Sequence, residues 1–242
     1  TGDYNVGVGD NALTANTTGY NNTATGYQAL LTNTTGAQNT VSGYQALHAN
    51  TTGNNNVALG NNALGLNTTA SQNTATGATA LYRNTTGTYN TASGYNALYS
   101  NNASFNTANG SYALYSNTTG TENTATGYQA MYNNTTASYN TATGYQSLYS
   151  NTTGSHNTAN GRQALYANTT GTHNTTFGFG SLKNNTTGIW NTILGYAAGD
   201  NITTGSSNII IGASVDAASA TASNQLNIGG WITGAAGAIT VP

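Results

Sequence analysis

This chain of 242 residues has no cysteine, one proline and very little charge: three Lys or Arg and five Asp or Glu. Without cysteine there is no disulfide framework, no thiolate metal site and no thiol nucleophile. Charged residues make up 3% of the chain, against roughly 25% in an ordinary domain. The net charge of −2 provides no basic surface for phosphates, so no nucleic-acid partner is expected. It also gives no strong field to steer a charged ligand. No apolar run approaches the roughly 18 residues of a membrane span, so no membrane insertion is expected. Low net charge together with 17 tyrosines removes the usual basis for disorder. The chain opens TGDYN, without Met, which points to processing or to a fragment.

What is present is one phrase repeated. An asparagine opens each unit at Asn5, Asn22, Asn39, Asn56, Asn73, Asn90, Asn106, Asn123, Asn140, Asn157, Asn174, Asn191 and Asn208. Every step is 17 residues except Asn90 to Asn106, which is 16; there the turn reads NNAS instead of NTTG. A glycine stands at unit position five throughout, from Gly9 to Gly212. It implies positive φ or a close backbone approach at a corner. Position nine is mostly Leu, as in Leu30, Leu47 and Leu81, with Met131 once.

A strict short period means one structural unit stacked on itself. Gly and Asn-Thr-Thr recur too often for helix. Two extended pieces per unit, NTATG and YQALY, fit between Gly/Asn turns. The fold expected is all-β: a parallel β-solenoid of about thirteen 17-residue coils over residues 1–212, followed by a cap or junction segment over 213–242. Stacking places equal residues over one another. The turn asparagines then form one hydrogen-bonded ladder and the opening asparagines a second. Tyr82, Tyr99, Tyr115, Tyr132, Tyr149 and Tyr166 form an aromatic row. The core of each coil is thin, so neighbouring coils must bury its faces. Three chains sharing a core, or one chain stacking end to end, would both serve.

Units such as NVGVG (Asn5–Gly9), NVALG (Asn56–Gly60), NTILG (Asn191–Gly195) and NIIIG (Asn208–Gly212) resemble the head repeats of trimeric autotransporter adhesins. The full unit is also similar to the repeat region of phage tail-fibre-like proteins that carry a C-terminal intramolecular chaperone. NQLNIGGWITG at Asn224–Gly234 resembles the segment that closes those regions. The resemblance covers essentially the whole chain and implies a left-handed β-roll, usually trimeric, on a virion or cell surface. The adhesin pattern has Val and Ile where the middle units have Thr, as at Thr23 and Thr25. If those positions face a core, their hydroxyls need partners.

Catalysis is not expected. Asp3, Asp10, Asp200 and Asp216 are too scattered to pair as acid and base, and hydroxyls without a base are not nucleophiles. No cofactor or metal is expected either. His156 and His173 lie one unit apart at the last unit position, in a row with Glu122, and such side chains do ligate metals. The same row holds Tyr89, Phe105, Tyr139 and Trp190. It is therefore read as a ligand strip for sugar rings or as a lateral packing seam. The N-x-T/S sequons at Asn16, Asn33, Asn50, Asn67, Asn84, Asn117, Asn134, Asn151, Asn168 and Asn185 are candidate glycan sites, unless those side chains turn inward as a ladder. Leu226, Ile228, Trp231 and Ile232 are the candidate junction. The function expected is that of an extracellular structural fibre element, whose partners are copies of itself and surface glycans. The alternative is an ice- or carbohydrate-binding solenoid presenting Thr and aromatic rows. Thr23/Thr25, Thr74/Thr76, Thr124/Thr126 and Thr141/Thr143 fit an ice-binding face, while Leu59, Asn109, Asn160 and Phe177 interrupt it.

Overall fold

The computed structural model describes residues 2–235 and 238–240. Among these residues the chain is all-β and has no helix, forming a β-solenoid of about thirteen coils with about 17 residues in each. It divides into two compact units, Thr1–Glu122 and Asn123–Pro242. The first unit holds β1 (Val6–Val8), β2 (Thr23–Thr25), β3 (Thr40–Ser42), β4 (Val57–Leu59), β5 (Thr74–Thr76), β6 (Thr91–Ser93) and β7 (Thr107–Asn109). The second holds β8 (Thr124–Thr126), β9 (Thr141–Thr143), β10 (Thr158–Asn160), β11 (Thr175–Phe177), β12 (Thr192–Leu194), β13 (Ile209–Ile211), β14 (Gln225–Ile228), β15 (Ile232–Ala235) and β16 (Ala238–Thr240). Each coil contributes one three-residue strand, paired in parallel with the next at an offset of one unit, as in Thr23↔Thr40 and Thr158↔Thr175.

The strand residues alternate as a pleat requires. Thr23 and Thr25 are exposed and Ala24 is buried, and the same pattern recurs from β2 to β12 with minor variation. The paired threonines therefore face outward, and their hydroxyls need no partners in a core. The core position is the small residue between them, which lets the coil walls approach closely.

The second extended piece is corrected. The stretch YQALY is a series of turns, with positive φ at Gln28 (52°) and Leu30 (53°). This left-handed backbone recurs at unit positions seven, nine and seventeen. Side chains branched at Cβ are poorly tolerated there, and across all three rows only Thr79 is β-branched. The curl does not break the inter-coil bonding. The Gln45 N–H reaches back to the Tyr27 carbonyl at 2.9 Å, and the Leu30 N–H reaches forward to the Ala46 carbonyl at 3.0 Å.

The glycine at position five meets both of its expected constraints. Gly26 has φ 131°, and a Cβ there would lie 2.5 Å from the Gly43 carbonyl oxygen.

Leu30, Leu47, Leu64 and their counterparts fill the core with Ala29, Ala46 and Ala63, all fully buried within the single chain. Beside them run two asparagine ladders. In the opening row within each unit, the backbone N–H of an asparagine donates to the side-chain Oδ1 of the one before it, as in Asn39 to Asn22 at 3.0 Å and Asn56 to Asn39 at 2.9 Å. In the turn row, Nδ2 of Asn50 donates to Asn33 Oδ1 at 2.8 Å and to the Gly53 carbonyl of its own turn at 3.0 Å. The Gly53 carbonyl also accepts from Asn39 Nδ2 at 2.9 Å. Both rows thus clamp the same carbonyl and close the coil.

The 16-residue unit keeps this clamp by shortening its turn. Asn101 Nδ2 donates to the Ala103 carbonyl at 2.7 Å, two residues on instead of three. Asn102 Oδ1 accepts the Thr85 N–H at 2.8 Å.

The repeat register continues past residue 212. Leu226 and Ile228 of β14 pair in parallel with Ile209 and Ile211. The chain then reverses at Gly229 and Gly230, so that β15 and β16 follow antiparallel. The change in architecture therefore falls at 229–231, one coil later than the 213 boundary expected.

Among the described residues, two buried polar atoms lack a partner: Asn185 Oδ1 and Thr176 Oγ1. The turn ladder stops at Asn185 because the residue one unit on is Ile202, which has no amide to donate. Thr176 stands at the core strand position where most coils have Ala. Thr176→Val is expected to stabilise the fold by about 1 kcal/mol, since a buried unpaired hydroxyl is removed at constant shape. Asn50→Ala is expected to cost about 3 kcal/mol by leaving buried ladder groups unmatched. Thr52→Ala, at an exposed turn position, should change stability by less than about 0.5 kcal/mol. Denaturant midpoints of the three variants check these values.

Candidate functional site

The inward side of every coil is filled by like residues, so the chemistry available for recognition lies in rows on the outside. Rows that face solvent include the strand threonines, the tyrosines at positions six and ten, and the mixed row at position seventeen.

The mixed row is stacked in both units. Tyr89 lies on Phe105, with ring centroids 5.2 Å apart and planes 7° apart. In the second unit Tyr139, His156, His173 and Trp190 form a column with successive separations of 4.9, 4.8 and 4.0 Å. The rings stack face to face, so each interior ring offers only its edge to solvent. A sugar ring stacks on an aromatic face, and in this column only the outward faces of Tyr139 and Trp190 remain. The column therefore has the form of a packing seam more than of a sugar platform. Its composition follows from the backbone: the whole row has positive φ (Tyr139 61°, His156 61°, Trp190 59°), which admits aromatic, His, Gln and Asn side chains but not Val or Ile. His173 Nδ1 lies 3.0 Å from Thr172 Oγ1. Among the described residues no three His, Cys, Asp or Glu side chains come together as a metal site would need.

The tyrosines at position ten stack as expected. Tyr82–Tyr99 and Tyr99–Tyr115 are 5.5 and 5.2 Å apart, and Tyr132–Tyr149 and Tyr149–Tyr166 are 5.4 and 5.2 Å apart. Position six carries a second row that the sequence reading missed. Tyr27 stacks on Tyr44 and Tyr128 on Tyr145. The guanidinium of Arg162 lies between the rings of Tyr145 and Phe179, 5.5 and 5.3 Å from their centroids, and Phe179 stacks on Tyr196. The signal was present in the sequence, as Tyr recurring right after the position-five glycine.

The sequon asparagines are the turn ladder itself. Asn33, Asn50, Asn67, Asn84, Asn117, Asn134, Asn151, Asn168 and Asn185 are fully buried. Their Nδ2 groups hold the turn carbonyl, as Asn151 holds Gly154 at 2.9 Å and Asn168 holds Gly171 at 2.9 Å. Asn16, in the first complete turn, holds Gly19 at 2.9 Å. An amide nitrogen bonded and enclosed as in those nine fully buried residues cannot carry a glycan, which closes them as attachment sites, whereas Asn16 is only half-buried.

The candidate junction residues cluster at the C-terminal reversal. Leu226 pairs with Gly234 and Ile228 with Ile232 across the β14–β15 turn, and Trp231 at its tip is exposed. A cleft of about 370 Å³ opens beside them, lined by Gln225, Leu226, Asn227 and Thr233. A second, of about 310 Å³, lies at the N-terminal coil against Asp3, Tyr4 and Tyr20. Nearby in the second unit, Asp200 is held above the usual carboxylate range by partial burial, by the negative charge of Asp216 and by a hydrogen bond to it, with Lys183 opposing.

Comparison with family models, curated proteins and solved structures finds no match to this chain.

Because the Asp200 carboxyl holds its proton more tightly in the folded chain than in the unfolded one, it weakens the fold at neutral pH. That loss sets in as pH rises above about 3.8 and is complete above the raised folded value. Asp200→Asn should raise the denaturant midpoint at pH 7 and reduce the gain that the wild type shows on acidification. Paired midpoints at neutral and acid pH measure both effects.

Proposed function

We propose that this chain is the structural subunit of an extracellular fibre, of the kind that builds surface filaments, adhesin shafts or phage tail fibres. Its copies join end to end. The observation that carries the reading is a complete core within one chain combined with open strand edges. The coils opened by Asn22 through Asn174 each bury a Leu or Met, an Ala or Ser and two Asn without another polypeptide, so no shared three-chain core is needed. β1 pairs only with β2, and β16 only with β15, among the described residues. Unpaired strand edges invite another strand. Two antiparallel steps return β16 to the direction of β14, so a β16–β1 junction between copies is a parallel pair like those within the coils. Sparse charge makes such copies repel weakly. Any glycan recognition along the rows is weak at each site and gains strength by repetition. The chain is not read as an enzyme.

An ice-binding solenoid is the second reading. Its support is the outward, in-register position of the strand threonines, with two exposed Thr per coil at β2 and β5. The fibre reading is preferred because Leu59, Asn109, Asn160, Phe177 and Leu194 interrupt one of the two Thr rows.

Electron microscopy and sedimentation of the purified chain over a concentration series test the fibre reading, with filaments one chain wide expected. In β1 the Val6 N–H and the Val8 carbonyl bond to the second coil, so alternation turns the Gly7 amide to the free edge. Gly7→Pro is expected to suppress filament growth and leave the β-sheet circular dichroism intact. A fixed trimer or a lone monomer at all concentrations would overturn end-to-end joining, and thermal hysteresis in a freezing assay would favour the ice reading.

A further inference from the structure

We infer that the outer tyrosine pairs are sites of oxidative coupling, where one-electron oxidation joins ring to ring as dityrosine and ties each coil covalently to the next. The inference concerns coils within one chain and does not depend on the fibre reading.

The geometry is that of paired reactants. Tyr27 and Tyr44 have centroids 5.3 Å apart and planes within 14°. For Tyr128 and Tyr145 the values are 5.5 Å and 17°. The four side chains are 42%, 48%, 44% and 42% exposed, so an oxidant reaches them from solvent. Dityrosine forms through the ring carbons next to the hydroxyl. In a near-parallel stack those carbons face each other, and the broad ring torsion of tyrosine lets them close the remaining gap. Holding two reactants in register replaces a bimolecular encounter by a local one.

Composition removes the usual competitors. There is no cysteine, and the single methionine, Met131, is fully buried. Exposed tyrosine and the two tryptophans, Trp190 and Trp231, are therefore the most oxidisable groups at the surface.

The reaction balances with hydrogen peroxide and a haem peroxidase as oxidant. Each phenol gives up one electron and one proton to become a phenoxyl radical. The two radicals form a carbon–carbon bond, and the two ring protons displaced in restoring aromaticity move to the phenol oxygens. The pair loses two hydrogen atoms in total, and these reduce one peroxide to two waters.

The test treats the dilute full-length chain with hydrogen peroxide and a haem peroxidase, followed by unfolding and trypsin digestion. Trypsin cuts after Arg83, Arg162 and Lys183, so the Tyr27–Tyr44 and Tyr128–Tyr145 pairs fall within the first and second fragments. Each fragment is expected to be lighter by two hydrogen atoms and to show dityrosine fluorescence, with tandem mass spectrometry placing the links at those pairs. Coupling in the half-buried row would join fragments through Tyr82–Tyr99 or Tyr149–Tyr166, or link Tyr99–Tyr115 or Tyr132–Tyr149 inside the second fragment, which tandem mass spectrometry tells apart from Tyr128–Tyr145. Tyr44→Phe and Tyr145→Phe keep a ring in the stack but cannot form the phenoxyl radical. They are expected to lose the corresponding link with an unchanged circular dichroism spectrum. The oxidised wild type should melt at a higher temperature than the oxidised double variant. Oxygen added at tryptophan with no hydrogen lost at the tyrosine pairs would overturn the inference. So would the same links forming equally well in the urea-unfolded chain.

Discussion

The carbonyl at the end of each turn, held by two buried asparagine amides, is the interaction on which this fold rests. Asn39 and Asn50 both donate to the Gly53 carbonyl, at 2.9 and 3.0 Å, and each is tied in turn to the coil before it. A buried amide is costly when unpaired and strong when every donor and acceptor is matched. Matching is possible only if the next coil places the same residue at the same point. This explains why the sequence repeats so strictly, and why the single shortened unit restores the clamp with Asn101, Asn102 and Ala103 before resuming the period.

The same constraint governs the outside. A register that stacks asparagine on asparagine also stacks tyrosine on tyrosine and threonine on threonine. The surface is therefore organised as parallel rows, and unlike side chains rarely converge. Within the stacked columns, such as Tyr139–His156–His173–Trp190, the interior ring faces are covered by the rings above and below. What the rows offer is continuity along each unit: ring stacks, hydroxyl lines and, at β1 and β16, strand edges able to take another strand.

Much of this was legible in the sequence. The 17-residue period, the glycine corner, the two asparagine ladders and the Tyr82–Tyr99–Tyr115 stack all follow from one assumption, that equal letters lie over one another. One feature was misread for a local reason and another was left open. YQALY has the composition of a strand, and nothing in Gln or Leu announces a left-handed backbone. The clue was negative: the near absence of β-branched residues at positions seven, nine and seventeen. The facing of the NTATG threonines stayed open in the sequence because an alternating triplet has two possible faces, and composition alone does not say whether Ala or Thr looks inward.

By itself, the sequence determined the unit length, the order of the coils and the identity of each ladder, since a strict repeat admits only stacking that preserves register. The tertiary structure decided which face of each strand is buried, where positive φ falls, and that the sequon asparagines point into the core. Those choices depend on how closely neighbouring backbones approach. At the coil wall most coils place an alanine methyl group, and a threonine there, as at Thr176, leaves its hydroxyl unpaired; an asparagine amide is enclosed only when the next coil supplies its partner.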